Sequence, residues 1–213
     1  MKRHLIIRCS VLAVLISGVA IAYDGTPPVQ NTGAPAIAGK PAEGVCAGCH
    51  NDFPLNDGGS VQLLDAPTYY QPGTAYPLIV RLTSSQTAGE TGRVWGFQLT
   101  AVGVSDGNGA GTFANVAGQG TTIAAGSGTF ATRRYVEVGS NNHGGAASPV
   151  EWQVQWTAPN PGVGQVRFFV VGVAAGGGGG SNGDWVYTGT HATDDITPAR
   201  TTSWGAIKLL YRP

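Results

Sequence analysis

Glu151-Trp152-Gln153-Val154-Gln155-Trp156 alternates polar and apolar residues with a period of two. Successive side chains of a strand point to opposite faces, so this stretch gathers Trp152, Val154 and Trp156 on one face and turns the other to water. Leu78, Val80 and Leu82 repeat the pattern within Tyr76–Thr83, and Val166, Phe168, Val170 and Gly172 share a face within Val166–Ala174. Working outward, further short apolar runs bounded by turn residues lie at Val61–Leu64, Val94–Val104, Thr129–Val138, Trp185–Thr188 and Ile207–Tyr211. Strands of this number and spacing, joined by Gly-rich turns, predict an all-β domain of two packed antiparallel sheets over residues 61–213.

The composition agrees. The 213 residues suit one ordinary domain, and 42% apolar and 8% aromatic residues are enough to build a core. Only 11% are charged, while 34 glycines and 13 prolines argue against a helical bundle or coiled coil. The formal net charge is zero, so nothing in it forms an electrostatic footprint for nucleic acid.

The first 22 residues read as a secretory signal peptide. Lys2, Arg3, His4 and Arg8 form a basic start, an apolar run follows from Val11 to Ala22, and Ala20-Ile21-Ala22 is a small-x-small cleavage site. A retained membrane anchor would need roughly 20 apolar residues, which this run does not reach. Cleavage removes Cys9, Met1 and three of the twelve cations but none of the twelve anions, leaving a net charge of −3. No second long apolar segment follows, so the mature chain is expected to be periplasmic or secreted, without a membrane span. Residues 23–60 are rich in Pro, Gly, Ala and Thr without a period and read as an extended lead-in, with one helical turn around Glu43 to His50.

That lead-in carries the only cysteines of the mature chain, in Cys46-Ala47-Gly48-Cys49-His50. This is C-x-x-C-H, the attachment pattern of c-type haem. Two thiols three residues apart can each form a thioether to one vinyl group of the same porphyrin, and the next residue can offer its imidazole to the iron. Chance alone yields the pattern with a frequency of roughly 10⁻³ over a chain of this composition. Other chemistries use the same residues. Exported thiols can form a simple Cys46–Cys49 disulfide. Zinc could take both thiolates and His50, with a fourth ligand from elsewhere. A redox-active C-x-x-C usually opens a helix in a βαβ setting, which is not visible here.

With no methionine in the mature chain, His/Met ligation of a haem is excluded. The sixth position falls to another histidine, a lysine, the new N-terminal amine, water, or nothing. His143, in Ser140-Asn141-Asn142-His143-Gly144-Gly145, is the first candidate. His191, in Thr188-Gly189-Thr190-His191-Ala192, is the second; both stretches read as loops. Phe53, Pro54 and Leu55 follow the motif and could shield one haem edge.

Other segments read more plainly. Asp106-Gly107-Asn108-Gly109 lacks the spaced carboxylates of a calcium loop and reads as a hairpin turn. Gly176 to Gly180 has no Lys and no following helix, so it is a linker and not a phosphate cradle. Asp184, Asp194 and Asp195 read as solvated turn residues, with cation binding as the alternative. Arg133-Arg134 is too short for a basic patch. Trp95, Trp152, Trp156, Trp185 and Trp204 could form a sugar platform, but their alternation with polar residues favours core positions for most of them. No Ser-His-Asp arrangement of a hydrolase can be argued from the sequence.

Several segments, taken in order, resemble a known family. Gly39-Lys40-Pro41-Ala42-Glu43-Gly44-Val45 runs into the C-x-x-C-H motif. It is followed by Tyr70-Gln71-Pro72-Gly73-Thr74-Ala75-Tyr76, Gly96-Phe97-Gln98-Leu99-Thr100-Ala101, Ala110-Gly111-Thr112-Phe113, Trp152–Trp156 with Thr157-Ala158-Pro159, and Gly183-Asp184-Trp185-Val186-Tyr187-Thr188. The order resembles the bacterial Reeler-like proteins, the choice-of-anchor V domain family, from about Gly39 to Thr188. The resemblance implies an immunoglobulin-like sandwich of the reelin N-terminal type in an exported protein, with the C-x-x-C-H segment ahead of it. Members often carry a histidine shortly after the strand matching Tyr135-Val136, a place that His143 takes here with a shift. Many relatives end in an anchoring segment; the end at Leu210-Tyr211-Arg212-Pro213 shows no such pattern, so surface anchoring is not expected.

Together these readings point to an exported monohaem c-type cytochrome: haem c on Cys46 and Cys49, His50 as axial ligand, and a sandwich as scaffold for electron transfer to a redox partner protein. A haem at the edge of a filled sandwich would also favour self-association. The alternative is a haem-free extracellular binding or adhesion module with a Cys46–Cys49 disulfide. An enzyme, such as a peroxidase, would need a distal acid/base beside an open iron, for which only His143 or His191 is at hand.

Overall fold

The alternation at 151–156 is seen directly in burial: Val150, Trp152, Val154 and Trp156 are buried, and Gln153 and Gln155 are exposed. The computed structural model describes residues 27–85, 93–176 and 182–196. Ten strands run in the order β1 Gly59–Leu64, β2 Tyr69–Tyr70, β3 Ala75–Ser84, β4 Val94–Gly103, β5 Thr112–Asn115, β6 Thr121–Ala125, β7 Arg134–Val138, β8 Val150–Thr157, β9 Val166–Ala175 and β10 Trp185–Asp195. They form a four-stranded sheet, β1-β3-β8-β5, and a six-stranded sheet, β2-β10-β9-β4-β7-β6. Every pairing is antiparallel except the two-residue parallel contact of β2 with β10. The expected all-β sandwich is therefore the fold observed.

One core fills the space between the sheets. Leu78, Val80, Leu82, Trp152, Val154 and Trp156 come from the four-stranded sheet; Trp95, Phe97, Leu99, Phe168, Val170 and Tyr187 come from the other. Trp156 meets Phe168 edge-on, with centroids 4.9 Å apart. Phe97 lies 4.8 Å from Trp152. Buried indoles need a partner for their N–H, and the loops supply one each: Trp95 donates to Ala146 O, Trp152 to Asn141 O and Trp156 to Ala110 O. Gly172 continues the inward face of Val166, Phe168 and Val170; a Cβ there would lie 2.6 Å from Leu82 Cδ1, so only glycine lets the sheets approach at that point.

Some elements differ from expectation. Gly128–Phe130 is a 3-10 turn and β7 starts only at Arg134, where the sequence suggested one strand over Thr129–Val138. β2, β5 and β6 are too short or too polar to announce themselves by alternation. β10 runs on through His191, Asp194 and Asp195, past the expected end at Thr188; pairing with β9 from Trp185 to Thr193 carries the polar residues along. The signal peptide, Trp204, the strand expected at Ile207–Tyr211 and most of the glycine run lie outside the described residues.

The largest departure is the lead-in. From residue 27 to 58 it packs onto the outer face of the six-stranded sheet instead of extending from the domain. Ile37 and Ala34 sit on Val102 and Phe169, and Val45, Cys46 and Ala47 sit on Val171, Val173 and Val186. A buried polar group fixes this layer. Glu43 accepts from Arg133 Nη1 (2.5 Å), Tyr135 OH (2.6 Å) and Thr32 Oγ1 (2.5 Å), while Arg133 also donates to Gly107 O. Burial beside Glu43 pushes the Tyr135 phenol well above its ordinary range.

Candidate functional site

Val45 is extended, and the chain then closes a single 3-10 turn over Cys46–Gly48. Gly48 N donates to Val45 O at 2.8 Å, and Cys49 N and His50 N both donate to Cys46 O, at 3.1 and 2.9 Å. The expected turn around Glu43 to His50 is thus confined to its second half; Glu43 precedes it with its side chain buried. The turn rests on the outer face of β9 and β10 through Val45, Cys46 and Ala47. This places the motif outside the sandwich core.

The two thiols differ. Cys46 is half-buried, with Sγ 3.9 Å from Asn31 O. Burial pushes its thiol up to about 12, against the opposing effect of a backbone hydrogen bond and with small additions from Cys49 and Glu137. Cys49 is exposed, and neither forms a disulfide. Glu137, beneath the lead-in, is itself pushed up to about 7 by burial, partly offset by the bond it accepts from Gln98 Nε2.

His50 is held by its side chain as well as its backbone. Its Nδ1 lies 2.5 Å from Asp184 Oδ2; the Asp184 side chain is 1% exposed and the His50 side chain 31%. Asp184 is therefore not the solvated turn residue the sequence suggested. Its other oxygen, Oδ1, accepts from Gly176 N at 2.8 Å, so it bridges the end of β9 and the start of β10. Next to it, Gly183 N donates to Asp52 Oδ2 at 2.6 Å. Asn56 clamps the same stretch to β10, donating to Val186 O and accepting from Thr188 N. Phe53 stacks face to face on Trp185 at 3.9 Å and 6°, and the Arg93 guanidinium lies 4.9 Å from the centroid of that Trp185 ring. Phe53 (37%) and Leu55 (45%) remain among the most exposed large apolar residues described.

The other two histidines stand elsewhere. His143 is in the β7–β8 loop as expected, in a left-handed conformation. It is half-buried: its ring packs edge-on against Trp152 at 4.8 Å, and its Nε2 lies 2.9 Å from Glu151 O. His191 is on β10, not in a loop, with Nε2 3.1 Å from Pro67 O. Six residues separate it from Trp185, about 20 Å along a strand. Neither joins Cys46, Cys49 and His50, and no group of three or more His, Cys, Asp or Glu among the described residues could hold a bare metal ion. A tetrahedral zinc site needs such convergence. A porphyrin does not, because the sulfurs attach at its periphery and only the imidazole reaches the centre.

Sequence reasoning found the pentapeptide and missed Asp184 as its partner. The signal available was a carboxylate directly before an apolar strand, Trp185–Thr188, in a chain with few charges. The remaining aromatic expectations hold: Trp95, Trp152, Trp156 and Trp185 are buried. Asp106 closes a turn by accepting from Asn108 N. No helix among the described residues is long and apolar enough to cross a membrane.

Comparison with protein-family models finds no match, and comparison with curated proteins finds none either. Among solved structures, the chain is similar to the reelin-N domain of F-spondin, at 20% identity and a TM-score of 0.43, over 68% of this chain and 94% of that one. The human F-spondin reeler domain gives 20% identity and a TM-score of 0.42, over 67% and 93%. A cohesin module from a Clostridium perfringens family 33 glycoside hydrolase gives 10% and 0.40, over 64% and 96%. The β-sandwich is defined by the strand pairing of this chain itself.

Proposed function

We propose that this chain is an exported monohaem c-type cytochrome that passes electrons to a partner protein. The observation that carries the reading is the presentation of Cys46-Ala47-Gly48-Cys49-His50. The motif lies on its own turn outside the filled core, Cys49 is exposed, and among the described residues Nε2 of His50 takes no hydrogen bond. Cys46 and Cys49 would hold the porphyrin by thioethers and His50 would meet its iron. Bound haem supplies a one-electron carrier. The chain's own part is to anchor the motif on β9 and β10 and to place Phe53 and Leu55, both apolar and exposed, beside it. A cofactor carried on the outside of the sandwich leaves an edge open to a redox partner or to a second copy. The signal sequence supports export to the periplasm or beyond.

The placement of the histidines favours an iron without a second protein imidazole. His143 packs on Trp152 in the β7–β8 loop, and His191 lies along β10 from the site. Reduced protein is then expected to bind carbon monoxide, and His143→Ala to leave the ferric spectrum unchanged; a spectrum altered by His143→Ala would restore it as the sixth ligand.

The test of the main reading is expression with a haem-maturation system, followed by a denaturing gel stained for haem and a pyridine haemochrome spectrum. Haem that stays with the denatured chain and is lost in Cys46→Ala/Cys49→Ala is the expected result. A colourless protein despite competent maturation would overturn it and leave a haem-free extracellular module with a Cys46–Cys49 disulfide.

A further inference from the structure

We infer that Asp184 is the positioning residue of His50: it holds the Nδ1 proton, leaves Nε2 as the atom turned to the iron, and places a fixed negative charge behind the imidazole. The inference rests on the cytochrome reading and deepens it. An ionised carboxylate only accepts hydrogen bonds, so at the 2.5 Å separation of Nδ1 and Oδ2 the imidazole is the donor. Nε2 is then the lone-pair nitrogen of the neutral ring. Metal-ligating histidines commonly give their second N–H to a carboxylate or carbonyl, which sets both tautomer and ring orientation.

The arrangement is built before any cofactor arrives. Asp184 is almost wholly buried, and its second oxygen is occupied by Gly176 N, so the carboxylate cannot swing away to water. Gly176, whose N–H is the donor, directly follows β9 and Asp184 directly precedes β10, and these strands are held together in register from Trp185↔Ala174 onward. From the other side, His50 N is tied to Cys46 O. The imidazole is thus fixed to the edge of the six-stranded sheet, where a surface turn alone would leave it free to rotate. Asp52, which takes Gly183 N, belongs to the same clamp but does not touch His50.

A charge so placed has a specific consequence. Hydrogen bonding to the axial ligand is one of the means by which a protein sets haem potential. A carboxylate strengthens the donor character of the imidazole and favours the ferric form, the more highly charged of the two. Neither thioether depends on Asp184, so removing its charge should leave the haem attached.

The experiment compares haem-loaded wild type, Asp184→Asn, Asp184→Ala and Asp52→Asn. Three readouts are taken: haem per chain, the midpoint potential by redox titration, and thermal melting by circular dichroism to establish folding. The expected result is full covalent haem in all four. The potential should shift upward in both Asp184 variants and stay at the wild-type value in Asp52→Asn. Nitrogen-15 NMR of the haem-free wild type should show His50 protonated at Nδ1, with that preference lost in Asp184→Ala. Folded, haem-loaded Asp184 variants with an unmoved potential would overturn the inference and leave the cytochrome reading intact. A shift of equal size in Asp52→Asn would also overturn it, since the effect would then belong to the loop. A wild type that takes no haem overturns the cytochrome reading, and the iron-directed role of Asp184 with it.

Discussion

β8 and β9 lie in different sheets and meet the same core, yet they read differently. β8 alternates: Trp152, Val154 and Trp156 point inward and Gln153 and Gln155 outward to water. β9 is Val-Arg-Phe-Phe-Val-Val-Gly-Val-Ala-Ala and is buried along nearly its whole length. Val166, Phe168 and Val170 face the core, while Phe169, Val171 and Val173 face the lead-in. A strand covered on both faces has no wet side to mark, so its sequence loses the period of two. The apolar run of β9 after Arg167 was thus a sign of a third layer. That layer is the segment that carries the C-x-x-C-H motif, so the difference between two strands also locates the site.

The contrast can be broken most strongly from the inside. Trp152→Ala should cost about 4 kcal/mol, within the range for truncating a buried aromatic, and be read as a lowered urea midpoint. Arg133→Ala strikes the layer instead of the core. It leaves Glu43 buried without its cation, a loss of roughly 3 kcal/mol. Hydrogen exchange should then rise over residues 27–58 before it rises in β3 or β8; uniform exchange would mean that the lead-in and the sandwich unfold as one unit.

A smaller effect follows from Glu137, which the same layer covers. Its carboxyl is pushed up from an ordinary 4.5 to about 7 by burial, so the folded chain holds a proton that the unfolded chain has released. Stability contributed by this group is full below about pH 4.5 and falls as the pH rises to about 7, by on the order of 2 kcal/mol after screening. Glu137→Gln should flatten the dependence of melting temperature on pH across that window; an unchanged slope would remove Glu137 as its source. The smallest change is expected on the wet face, where Gln153→Thr should stay within about 0.5 kcal/mol of wild type.

How much of this was legible follows from range. β8 and β3 announce themselves through alternation because neighbours along one chain decide which face is wet. β5 and β6 did not: Thr112–Asn115 and Thr121–Ala125 carry few large apolar residues and owe their strands to pairing with β8 and β7. β10 shows the same limit, since His191 lies in a strand because Phe168 stands opposite. The pentapeptide was readable because its chemistry lies within five consecutive residues. Arg133, by contrast, looked like half of a minor surface pair and is the cation of a buried network whose carboxylate is 90 residues away.

The amino-acid order by itself determined the class of fold, through the period of side chains along each strand, and the candidate chemistry, through the spacing of two thiols and an imidazole. Only the tertiary structure decided where that chemistry sits and what stands behind it. Asp184 follows His50 by 134 residues, and its carboxylate reaches Nδ1 only because β9, β10 and the lead-in close around the same edge. Local pattern is set by solvent on either side of a short segment and is written into that segment. A buried contact between distant charges depends on how whole layers pack, and no single segment records it.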